Sequence, residues 1–164
     1  MAVGYQVVFR AQVDQVLAPT PGTRRLLVST LLRVGRDKGI FGVGGADGQA
    51  HAALACDAAA LGRFVHDARL ALGAALRLPI AAPTTKPIRD MWHAESVLGY
   101  VHRQDTHHGV GRDPYREATT LPDLLGLRVG HGWVAEAVRT VVPRVTRAGL
   151  LAHWGLDELV EQVG

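Results

Sequence analysis

The chain of 164 residues has little cysteine, few aromatic residues and no long apolar run. Its single cysteine, Cys56, excludes an internal disulfide framework and a CxxC zinc ribbon. With only three residues each of Trp, Tyr and Phe, a core must consist mainly of Ala, Leu and Val, and the 48% hydrophobic content is enough for one. No stretch approaches the ~18 apolar residues of a membrane span, and the N-terminus lacks a secretory pattern. We therefore expect a cytoplasmic protein with no membrane partner.

Charge of one sign is not dominant either, because 18 Lys and Arg against 15 Asp and Glu give a formal net charge of +3. This balance is compatible with a polyanionic partner but does not by itself indicate one. Several basic residues fall on the polar side of the first predicted helix, a pattern that a merely solvated face also shows. This stripe contains Arg24, Arg25, Arg33, Arg36 and Lys38.

The order of the predicted elements indicates an α+β fold. The stretch YQVVFRAQV predicts a first strand, and apolar residues at helical spacing predict a helix capped by Thr23. IFGVGG and AHAALAC predict a hairpin, Asp57 begins a long helix, and an edge strand lies around residues 86–89. Asp90 is the predicted N-cap of a third helix. This βαββαβ order is typical of the ferredoxin-like split βαβ arrangement, an antiparallel sheet covered by helices on one side.

The sequence changes character near residue 112. Residues 1–112 contain all the strands of the predicted ferredoxin-like domain. Residues 113–164 are predicted to form a loop and two or three short helices, interrupted at Pro143 and Gly155. We therefore expect a small C-terminal helical extension.

Side chains suited to catalysis are concentrated in GYVHRQDTHH, residues 99–108. Tyr100 and Gln104 are four residues apart, so they share one face of the third helix. A helix lying across a split βαβ sheet would bring this face over the hairpin strand that carries His51. An imidazole and an amide oxygen can hold a divalent cation, and a phenol can attack a phosphodiester. A packing tyrosine and a hydrogen-bonded core histidine are the commoner roles at such positions.

The remaining histidines of this stretch do not match a standard zinc motif. His102, His107 and His108 are five residues and one residue apart, which fits no such site. We interpret them as part of a helix C-terminus, where a protonated imidazole interacts favourably with the helix dipole.

The stretch IRDMWHAESVLGYVHRQDTHHGV resembles the tyrosine-bearing helix of the single-tyrosine HUH transposases. It is most similar to the REP-associated tyrosine transposase branch, in which this helix carries Y-I-H-x-N-P. The resemblance implies that Tyr100 is a nucleophile and that Gln104 is a metal ligand. The family's H-U-H strand motif, in which U is apolar, corresponds to Gln49-Ala50-His51. Downstream, DPYREATTLPDLLGLR is similar to the segment after the catalytic helix, so the resemblance extends over residues 4–128.

Two departures from the family pattern bear on activity. Gln49 stands where the family has a histidine, and an amide oxygen is a weaker ligand than imidazole for first-row metals. The family's W-Q-x-x-F region is missing from LRLPIAAPTTKPIRD. By resemblance, Mg²⁺ or Mn²⁺ on His51, Gln104 and Gln49 would polarise the phosphate while Tyr100 forms a 5′-phosphotyrosine link. We expect this cutting activity to be impaired or lost.

The resemblance thus implies a domesticated, transposase-derived homodimer that binds single-stranded or hairpin DNA. A second hypothesis is a competent metal-dependent transesterase that nicks and joins single strands. A third is a scaffold that binds a protein, peptide or small molecule without nucleic acid. The expected contacts to DNA phosphates are Arg24, Arg25, Arg33, Arg36, Lys86 and Arg89.

Overall fold

The computed structural model describes residues 2–12, 15–46, 48–103, 119–125, 130–146 and 148–149. The predicted order of strands and helices is confirmed throughout the first 103 residues. The strands are β1 (Gly4–Phe9), β2 (Ile40–Gly45), β3 (Ala50–Leu54) and β4 (Thr84–Ile88). The helices are α1 (Pro21–Gly35), α2 (Ala58–Leu76), α3 (Met91–His102), α4 (Leu121–Leu124) and α5 (Gly132–Val141), with a 3-10 turn at Arg36–Lys38.

The four strands form one antiparallel sheet in the order β2-β3-β1-β4. β1 therefore lies between β3 and β4. The chain reaches β3 only after α1 and β2, and it reaches β4 only after α2. This is the split βαβ arrangement of ferredoxin-like folds, so the predicted fold class is confirmed. Pro87 is tolerated in β4 because β4 is an edge strand.

Helices cover both faces of the sheet, so the expectation of helices on one side only was wrong. α1 and α2 pack together on one face, where Phe9 of β1 contacts Phe64 of α2 at 6.1 Å between ring centroids. Neighbouring residues of a strand point to opposite faces. Val8 and its cross-strand partner His51 consequently lie on the other face, where α3 crosses β2 and β3. We call this second surface the α3 face.

Two glycines of β2 allow α3 to approach the sheet closely. A Cβ atom at Gly42 would lie 2.8 Å from a methyl group of Leu98, and one at Gly44 would overlap the carbonyl oxygen of Val101. Leu98 and Val101 are themselves buried. The backbone of α3 therefore rests directly on β2, which fixes the height of the helix above the sheet.

The helix caps agree with the sequence in two of three cases. Asp57 accepts a hydrogen bond from the Ala60 amide, and Asp90 accepts one from the His93 amide, both at 2.8 Å, as predicted. The predicted cap of α1 was wrong by one turn. Thr20 is the N-cap, Pro21 is the first helical residue, and the hydroxyl of Thr23 completes a capping box.

The described part of the C-terminal segment packs against β2. The Thr120 amide donates to the carbonyl of Val43 at 2.8 Å, and the Val43 amide donates to the Thr120 hydroxyl at 3.0 Å. α5 ends at Val141, before the predicted break at Pro143. The boundary proposed at residue 112 and the break proposed at Gly155 lie outside the described residues. Among the described helices, none is long and apolar enough to cross a membrane.

Candidate functional site

Tyr100 and His51 lie side by side on the α3 face. Their ring centroids are 5.3 Å apart and their planes are inclined at 86°, an edge-to-face contact worth about 1 kcal/mol. The tyrosine is 40% exposed, whereas the histidine is only 3% exposed. The structure therefore brings these two side chains together as the sequence predicted, with the phenol at the surface and the imidazole beneath it.

The local sequence explains this placement. His51 lies in β3 between Val8 of β1 and Gly44 of β2, so its ring occupies the middle of the α3 face. Gly44 has no side chain, and α3 fills the space above it. Tyr100 directly precedes Val101, the residue whose carbonyl rests over Gly44. The helix thus positions the phenol next to the neighbouring strand.

β1 and the residue after it supply two polar partners that sequence reasoning missed. The Gln6 side-chain amide donates to Nδ1 of His51 at 3.2 Å, and the Arg10 guanidinium donates to Oε1 of Gln49 at 2.8 Å. Alternation places Gln6 and Val8 on one face of β1, and Arg10, the residue after the strand, continues this row. That signal is present in the sequence, but it does not reveal which residues of another strand stand opposite.

These hydrogen bonds do not fit a divalent cation. Oε1 of Gln49 already accepts from a permanently charged guanidinium, and Nδ1 of His51 accepts from an amide that can only donate at that atom. A histidine that binds a metal usually donates its second ring N–H to an acceptor. Across the described residues, no group of three or more His, Cys, Asp and Glu side chains could hold a metal ion. The third predicted ligand, Gln104, lies outside the described residues.

The predicted phosphate-binding residues are divided between two surfaces. Lys86 is exposed and pairs with Gln6 across β1 and β4, which puts it on the α3 face. Arg89 is exposed just before α3. The other four belong to α1 and the turn after it, on the opposite side of the sheet: Arg24, Arg25, Arg33 and Arg36. The guanidinium of Arg36 stacks on the Trp133 ring, 5.3 Å from its centroid.

His102 lies in the interior of the protein and not at its surface. It is 1% exposed, and its Nε2 lies 2.9 Å from the hydroxyl of Thr120. Burial lowers the pKa of His102 to about 3, so the ring is neutral at physiological pH. The prediction of a protonated ring at the helix end was therefore wrong for His102. The same prediction for His107 and His108 falls outside the described residues.

A solved structure has a similar architecture: the REP-associated tyrosine transposase bound to a REP hairpin. The TM-score is 0.54 at 13% sequence identity, over 78% of this chain and 84% of the transposase chain. The two chains share one fold. No protein-family model matches this sequence, and no curated protein sequence matches it. The resemblance first seen in the Tyr100 helix is thus joined by a likeness of the overall fold.

Proposed function

We propose that this chain is a transposase-derived protein that binds single-stranded or hairpin DNA on its α3 face. The observation that carries this proposal is the contact between Tyr100 and His51, which combines an exposed phenol with a buried imidazole. The shared fold supports it, because the transposase with this architecture was solved with a hairpin. An exposed aromatic ring flanked by cations is also suited to single strands, on which bases stack and phosphates pair.

Cations on this side of the sheet indicate where the backbone of the DNA would run. Lys86 lies in the same cross-strand row as Gln6, and Arg10 extends the row of polar residues on β1. DNA bound on the α3 face would contact these side chains and Arg103, the exposed C-cap residue of α3. The arginines of α1 would contact the DNA only if the nucleic-acid strand continued around the edge of the β-sheet.

We propose further that the cutting chemistry is impaired. In the reaction, the Tyr100 oxygen would bond to phosphorus while the bond to the 3′ oxygen breaks, and a base would have to accept the phenol proton. Among the described residues, His51 is the imidazole that contacts the phenol ring, but its Nδ1 accepts from Gln6, which leaves the ring proton on Nε2. A ring in this state is a poor acceptor for a second proton. His51 in this state therefore does not supply the base that the attack requires.

Fluorescence anisotropy with a hairpin carrying a single-stranded arm tests the binding. We expect an affinity that falls steeply as salt rises, because released counterions drive association. A denaturing gel with Mn²⁺ tests the chemistry: a covalent adduct that is lost in Tyr100→Phe would establish a competent enzyme. Absence of binding at low salt would favour the scaffold alternative. We also propose a homodimer, which sedimentation analysis of the protein with and without hairpin would test.

A further inference from the structure

Two donors, Gln6 in β1 and Arg10 just after it, face the two acceptors that a cation would require, His51 in β3 and Gln49 just before it. Gln6 bonds to His51, and Arg10 bonds to Gln49, the pair that corresponds to the H-U-H motif. We propose that the guanidinium of Arg10 replaces a divalent cation in this cleft and binds a nucleic-acid phosphate directly, without metal. The identity of the ligand rests on the function proposed above, whereas the replacement of the cation does not.

The first argument is electrostatic. A guanidinium stays charged at any physiological pH, and Arg10 lies at hydrogen-bond distance, 2.8 Å, from Oε1 of Gln49. A divalent cation bound to the same oxygen would face this charge at close range and be repelled. The neutral amide does little to offset that repulsion, because it carries no negative charge. Arg10 and a metal therefore exclude each other at Gln49.

The second argument concerns the imidazole. With Gln6 donating to Nδ1, His51 carries its proton on Nε2, so neither nitrogen presents a lone pair to a metal. The ring is in addition almost fully buried, and Tyr100 lies against it. Both candidate metal ligands, His51 and Gln49, therefore accept hydrogen bonds from protein side chains instead.

The third argument is that Arg10 is suitably placed to bind an anion. The side chain is exposed, and its guanidinium has five N–H donors, of which Gln49 engages one edge. The other edge can bind two oxygens of one phosphate in parallel. Arg10 is two positions after Val8, the partner of His51, so its backbone lies about 7 Å along the chain from the tyrosine cleft. Gln49 holds the guanidinium in that orientation before any ligand arrives.

Manganese binding to the protein alone tests the replacement. Electron paramagnetic resonance should show no Mn²⁺ site in the wild type that depends on His51, whereas the triple variant Gln6→Ala, Arg10→Ala, Gln49→His, which removes both competing donors, should gain one. All three positions lie outside the core, so the variants are expected to fold, which thermal melts would verify. A wild-type Mn²⁺ signal that disappears in His51→Ala would overturn the inference.

Hairpin binding then tests the role of Arg10 in holding phosphate. We expect equal affinity in EDTA and in Mn²⁺ at matched ionic strength. Arg10→Gln should weaken binding about tenfold, as expected for a lost charge-assisted hydrogen bond, and lower the salt slope by about 1. Arg63→Gln, which removes the same charge from α2 on the opposite face, should leave both unchanged. Hairpin binding that requires Mn²⁺ would overturn this inference and leave the proposed function intact. If the wild type binds no hairpin at low salt, the proposed function fails, and the manganese measurement still decides the replacement.

Discussion

Nε2 of His102, in the last turn of α3, lies 2.9 Å from the hydroxyl of Thr120, and that hydroxyl also accepts a hydrogen bond from the amide of Val43 in β2. A single threonine therefore joins the end of the Tyr100 helix to the edge of the sheet. All three residues are buried, so these hydrogen bonds are shielded from water. The position of α3 depends on them.

The burial of His102 predicts a pH-dependent stability. Its pKa falls from 6.5 to about 3 on folding, so between these values the unfolded chain binds a proton that the folded chain does not. The contribution is fully present above pH 6.5 and is lost as pH falls toward 3, with a slope of about 1.4 kcal/mol per pH unit. Urea unfolding at several pH values measures it. His102→Gln keeps a polar partner for Thr120 but does not titrate, so the slope of the variant should be smaller by that amount. Equal slopes in both proteins would contradict the assignment.

Gly44→Ala should destabilise the protein and displace α3. The added methyl group would meet the carbonyl oxygen of Val101, which cannot move without the helix. Overpacking of this kind costs about 1–3 kcal/mol in the free energy of unfolding, which chemical denaturation measures. Gly62→Ala is the control, because Gly62 lies within α2 with open space around it. That substitution should stabilise the chain by up to about 1 kcal/mol. Destabilisation of the same size in both variants would show that contact with α3 is not the cause.

Arg144→Lys should loosen the C-terminal segment from α3. The Arg144 guanidinium lies 3.5 Å from the centroid of the Trp92 ring and donates to Glu95 at 2.6 Å, so it stacks and forms an ion pair at once. A lysine ammonium cannot reproduce both contacts. We expect a loss of about 1 kcal/mol and a change in Trp92 fluorescence, since the ring is already more than half exposed with the guanidinium over it and would lose this cover. Trp92→Phe identifies that residue's share of the emission. An unchanged spectrum in Arg144→Lys would contradict the predicted stacking.

Lys86→Gln should weaken hairpin binding, while Arg25→Gln should not. Both residues are exposed and carry one charge, but Lys86 lies on the α3 face and Arg25 on α1 behind the sheet. Removing one phosphate contact lowers the salt slope by about 1 and affects all sequences similarly. The anisotropy assay described above measures both quantities. Equal losses in the two variants would mean that DNA also covers the α1 surface.

Much of the fold was predictable because its signals are local. Alternation defined β1, the caps at Asp57 and Asp90 defined two helix starts, and the order of the elements then indicated the sheet. The start of α1 was misplaced because Thr23 and Thr20 are both good capping residues. Pro21, favoured at the first helical position, is the signal that distinguishes them.

The site was only partly predictable because it depends on register. The fold class was sufficient to predict that the Tyr100 helix lies above the His51 strand. The partners Gln6 and Arg10 could not be foreseen, since they meet β3 only through a pairing register set by residues about 40 positions away. His102 was misjudged for a similar reason. Its burial depends on Thr120, which reaches it from beyond the end of the helix. The roles assigned to Tyr100, His51 and the basic residues stay predictions.

The hydrogen bonds between Thr120 and Val43 have a consequence for self-association. β2 is an outer strand, and its free backbone groups would otherwise offer a template for a strand of another molecule. Thr120 already pairs with the backbone of Val43 at this edge. At the opposite edge of the sheet, Pro87 has no N–H, so β4 has one backbone donor fewer. Continuous sheets across two molecules are therefore disfavoured at both borders. A homodimer of this chain would have to form through side-chain packing between helices or through its DNA.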